Sequence, residues 1–88
     1  MKFKEIFTEA SKGGEAILAL RRLNYDIDGA LDASNARDVK TVIDSWLEDE
    51  DEIGDEMELE GKELKQYIKY LKDIQADPKG AWKVISED

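Results

Sequence analysis

The sequence predicts an all-α protein: a single small domain over residues 1–88, built as a bundle of four or five short helices with an acidic loop or helix end at about residues 48–60. Three observations predict it. Apolar residues recur at helical spacing in residues 15–23, 39–47 and 64–74. Turn-forming residues gather between those stretches rather than inside them. The chain has 88 residues, 41% of them hydrophobic, and no cysteine, which allows one small core without disulfides.

Residues 2–11 place Phe3, Ile6, Phe7 and Ala10 on one face, the pattern of a short amphipathic helix. Gly13 and Gly14 read as a break after it. Ile17, Leu18, Leu20 and Leu23 then predict a second helix over 15–23, with Arg21 and Arg22 toward solvent. Residues 24–35 are rich in Asp, Asn, Ser and Gly and read as a connector. Ser34 or Asn35 is positioned to cap a third helix carrying Val39, Val42, Ile43, Trp46 and Leu47, with Asp38 in its first turn.

Beyond Leu47 the helical pattern meets like charges three and four residues apart, which disfavour a regular helix and predict a loop or frayed end. Met57 and Leu59 alternate with Glu56, Glu58 and Glu60, which admits a short strand, though one strand would lack a partner. Residues 62–75 give the clearest helix, with Leu64, Tyr67, Ile68, Leu71 and Ile74 on one face and Lys62, Lys65, Lys69 and Lys72 in a stripe. Pro78 and Gly80 punctuate its end. Ala81, Trp82, Val84 and Ile85 predict a short closing helix docked through Trp82.

Charge is the strongest functional signal. Residues 41–60 hold ten acidic side chains and no basic one, whereas the rest of the chain is close to balanced, so the net charge of −9 is local. Such a block is solvated, paired with cations such as the lysine stripe, or presented to a basic partner. It repels nucleic acid and anionic lipid, so direct binding to either is not expected. Glu48, Asp49, Glu50, Asp51, Glu52, Asp55, Glu56, Glu58 and Glu60 are the candidate partner-binding residues. Tyr70 joins them because it falls off the main apolar stripe of its helix; Trp46 and Tyr67 lie on apolar faces and are expected in the core.

A calcium loop is a further candidate. From Asn24 to Asn35, oxygen ligands fall at loop positions 1, 3, 5 and 9, as Asn24, Asp26, Asp28 and Asp32, and Gly29 stands at position 6. This resembles an EF-hand loop, but Asn replaces the usual first Asp and Asn35 stands where a bidentate Glu would supply two oxygens. A poorer match begins at Asp49, with Asp51, Gly54 and Glu60 at positions 3, 6 and 12 and Ile53 at position 5. No other cofactor is expected. The chain has neither His nor Cys, which excludes a His-based triad and the usual structural zinc sites, and no enzyme activity is expected.

The first ten residues, Met-Lys-Phe-Lys-Glu-Ile-Phe-Thr-Glu-Ala, resemble the capsid-targeting leaders of internal proteins of large tailed bacteriophages. In those leaders a Met-Lys start leads to an apolar pair, a small residue and Glu-Ala, and the prohead protease cuts after the Glu. The equivalents here are Ile6 and Phe7, Thr8, and the Glu9–Ala10 bond; Phe7 departs from the family's usual Leu or Ile. The resemblance implies a phage origin, and therefore a site of action in the host cytoplasm or the virion.

Together these features predict a small, cytoplasmic, acidic protein-binding module. One form of it is an inhibitor whose carboxylates imitate DNA phosphates toward a host nucleic-acid-binding protein. The alternatives are a structural or internal virion component and a degenerate EF-hand-like calcium module. The apolar helix faces also leave a homodimer open.

Overall fold

The computed structural model describes residues 12–23, 27 and 31–86. Among the described residues are five helices and no strand: α1 (Lys12–Arg22), α2 (Ala36–Leu47), α3 (Glu50–Met57), α4 (Lys62–Ala76) and α5 (Pro78–Ser86). The expected amphipathic helix over residues 2–11 lies outside them.

The 15-residue α4 is the spine. Its Tyr67, Leu71 and Ile74 recur every three or four residues and are fully buried. Helices α1 and α2 each pack chiefly on α4 and α5, while α3 lies more lightly against α2 and α4. Ile17 and Leu20 of α1, Ile27, and Val39 and Ile43 of α2 close one shared core around the α4 stripe. Each such side chain contributes about 1.5–3 kcal/mol by leaving water.

Local chemistry sets the ends. Asn35 caps α2: its Oδ1 accepts the Asp38 amide at 3.0 Å, and Asp38 Oδ2 accepts the Ser34 amide at 3.1 Å. In α1, Glu15 stands in the first turn and Arg21 and Arg22 in the last, matching the helix dipole at both ends.

Several sequence expectations are corrected. Gly13 and Gly14 do not precede the helix; both are buried in the first turn of α1, where the backbone runs close to the α4–α5 junction. Pro78 does not merely end α4. It begins α5, a position where its missing N–H costs nothing, and Asp77 Oδ1 accepts the Gly80 amide at 3.2 Å. The closing helix buries Ala81 completely, with Trp82 only half-buried beside it.

The largest correction concerns the acidic stretch, where Glu50–Met57 is a helix rather than a loop. Asp49 Oδ1 accepts the Glu52 amide at 3.2 Å, and Glu50, Asp51 and Glu52 occupy the first turn, where negative charge meets the positive end of the helix dipole. Ile53 and Gly54 are buried on the inner side. These terms outweigh like-charge pairs that destabilise a helix by only about 0.2–0.5 kcal/mol each. No strand forms at residues 57–60: Met57 ends the helix, and the Leu59 amide turns back onto the Gly54 carbonyl at 2.9 Å. The loop-like calcium match beginning at Asp49 is lost for the same reason.

Glu58 closes α3 in the left-handed conformation, with φ 57°. An L side chain there costs about 1–2 kcal/mol. Glu58→Gly is therefore expected to stabilise the fold by about 1 kcal/mol, a rise of about 4–8 °C in melting temperature. An unchanged or lower melting temperature would show that Glu58 is not strained.

Candidate functional site: an acidic helix beside an apolar groove

Placing the acids on α3 sorts them. At about 100° per residue, Asp51, Glu52, Asp55 and Glu56 fall within an arc of about 140°, opposite buried Ile53 and Gly54 and half-buried Met57. Helix α3 thus turns four carboxylates outward in two pairs one turn apart. Glu48, Asp49, Glu58 and Glu60 flank it, and all are exposed. The eight residues of α3 span about 12 Å of axis. They carry five acids, Glu50 included, where duplex DNA carries about seven charges over the same length.

The lysine stripe on α4 barely neutralises this face. Lys72 Nζ approaches Glu50 Oε2 at 3.8 Å, and both side chains are largely exposed, so the pair contributes at most about 1 kcal/mol. Among the described residues, no ion pair joins Lys62, Lys65 or Lys69 to the block, although Lys65, Lys69 and Lys72 share a shallow recess with Glu50.

Asp44 stands apart from the other nine acids. It lies on α2, where Lys40 Nζ donates to its Oδ2 at 2.8 Å and Gln75 Nε2 of α4 donates to its Oδ1 at 2.6 Å. The Lys40 bond first, and the Gln75 bond second, hold its carboxyl below the ordinary value. Because the folded value lies below the unfolded one, this contribution is complete above the ordinary carboxylate range and is lost as pH falls through the lowered value. Chemical denaturation of wild type and Asp44→Asn across acidic pH is expected to show the wild type's advantage shrinking below about pH 4. A constant difference would contradict this.

Beside the acids lies a groove of about 370 Å³ between α2 and α3. Trp46, Ile53, Met57 and Tyr67 form its apolar lining, and Asp49, Glu52 and Glu56 its acidic edge, with Ser45 at one end. Trp46 and Met57 are half-buried, so part of each faces the groove. Tyr67 is fully buried, as its place on the apolar stripe predicts. Tyr70 is half-buried and packed against the core rather than exposed, because it shares the inner side of α4 with Tyr67 and Ile74.

Of the calcium candidates, Asn24, Asp26 and Asp28 lie outside the described residues. Asp32 is exposed, and Asn35, the twelfth loop position, has its side-chain oxygen on the Asp38 amide. Among the described residues, no group of three or more acids is arranged to hold a metal ion. No helix among them is long and apolar enough to cross a membrane. The groove was not legible in the sequence, since nothing in its periodicity brings Trp46 next to Met57. No family model matches the chain, and no curated protein or solved structure matches it either.

Proposed function

We propose that this chain is a non-enzymatic binding module whose α3 face contacts the basic surface of a nucleic-acid-binding protein, occupying it as DNA would. The observation that carries the reading is the outward arc of Asp51, Glu52, Asp55 and Glu56 on a capped helix. Fixed carboxylates lose less entropy on binding than a mobile acidic loop would. With Glu50 they place five charges on about 12 Å of axis, against about seven for a duplex. The lysines of α4 leave the arc open to a partner. The leader-like first ten residues support a phage source and a host target.

Capture from a bacterial lysate tests the reading. The wild type is expected to retain a nucleic-acid-binding protein at low salt, to lose it at high salt, and to release it to added duplex DNA. A variant with Asp51, Glu52, Asp55 and Glu56 changed to their amides is expected to retain little. Equal capture by both proteins would move the contact surface away from α3. The leader favours a second reading, an internal virion component, whose mark would be cleavage after Glu9 during particle assembly.

A further inference from the structure

Helix α3 has two acidic borders, and one of them edges the groove that holds an indole. Asp51 and Asp55 lie on the border away from the groove, Asp55 beside a shallow recess with Glu58, Leu59 and Glu60, whereas Glu52 and Glu56, with Asp49, edge the groove floored by Trp46, Ile53 and Met57. No lysine or arginine lines that groove. A partner side chain seated there meets carboxylates at its tip, an indole, and apolar surface along its length.

Resting on the reading above that a basic protein surface binds α3, we infer that the groove receives an arginine side chain of that partner and gives the contact its selectivity for arginine over lysine. The guanidinium is planar and weakly hydrated, stacks on indole, and presents a fork of donors that two carboxylates can share. Its aliphatic stem covers apolar surface of the kind Met57 and Ile53 provide. A lysine ammonium is a strongly hydrated point charge and gains little from leaving water for such a floor. The two borders therefore divide the work. Asp51 and Asp55 attract any cation, and the groove selects the one that stacks and forks.

The test uses full-length protein carrying Trp82→Phe, which leaves Trp46 as its indole reporter. The probes are short amidated alanine peptides bearing arginine, lysine or citrulline at the same positions. The arginine peptide is expected to change Trp46 emission on binding and to bind about tenfold tighter than the lysine peptide, within the range open to a desolvated cation–aromatic contact. The citrulline peptide, which lacks the charge, is expected not to bind. Glu52→Gln with Glu56→Gln should abolish the arginine preference. Asp51→Asn with Asp55→Asn should weaken both cationic peptides alike and keep it. Circular dichroism of each variant establishes that the helices persist.

Equal, salt-sensitive binding of the arginine and lysine peptides without a change at Trp46 would overturn the groove assignment and leave the acidic contact face standing. Failure of both peptides while α3-dependent capture from lysate persists would overturn the assignment alone. Failure of both together with loss of that capture would remove the underlying reading too. Trp46 emission that changes with protein concentration and no peptide would make the occupant a second copy of this chain, and would overturn the arginine assignment.

Discussion

Replacing Tyr67 with alanine is expected to lower the unfolding free energy by about 3–5 kcal/mol, the usual cost of truncating a buried aromatic side chain. For 88 residues the whole stability is about 4–13 kcal/mol. At the lower end of that range the variant sits at the edge of unfolding, and at the upper end it loses about a third of its stability. Tyr67 is fully buried on α4 and also lines the groove beside α3, so its loss removes core packing and groove wall together. Urea denaturation followed by circular dichroism should show a much lower midpoint with a similar slope. A loss below about 1 kcal/mol, the level of an ordinary substitution, would mean that Tyr67 does not close the core as described.

Gly13→Ala tests the opposite kind of crowding, and its sign is informative. From helix propensity alone, alanine should stabilise α1 by at most about 1 kcal/mol. In the folded protein the new Cβ would press into the Asp77 carbonyl oxygen, 3.0 Å from Asp77 C and 3.1 Å from the Ala81 nitrogen. These are backbone atoms at the junction of α4 and α5, where the Asp77 carbonyl accepts the Ala81 amide at 3.2 Å and Ala81 is fully buried. They cannot swing aside as a side-chain tip would. Overpacking costs about 1–3 kcal/mol, and a clash with backbone falls at the upper end, so a net destabilisation of up to about 2 kcal/mol is expected. A higher melting temperature than wild type would show that α1 does not approach the junction this closely.

Gly13 also marks where sequence reasoning succeeds and fails. The helices over 39–47 and 64–74 were legible because their apolar residues recur at the helical period and face one core. Gly13 and Gly14 read as a break because the local rule penalises glycine in a helix. The rule is blind to a neighbouring backbone that needs the missing Cβ. Pro78 reads as punctuation, yet its place just after Asp77 equally suits the first turn of a helix. In the acidic stretch, two local signals oppose the repulsion between neighbours. Asp49 stands three residues before Glu52, the spacing of a helix cap, and Ile53 offers one apolar anchor. The ten acids were legible as a block, but not that Asp44 belongs to the tether between α2 and α4. The groove depends on the short connection through Glu48 and Asp49 that joins α2 to α3, which no periodicity encodes.

The most direct measurement titrates the protein captured by wild type against wild type and the Asp51, Glu52, Asp55 and Glu56 amide variant over a range of salt. If α3 is the contact face, wild-type affinity falls steeply with salt, and the variant binds weakly with a much shallower dependence, because the charges being screened are those removed. Coincident affinities and salt slopes for the two proteins would contradict that contact face.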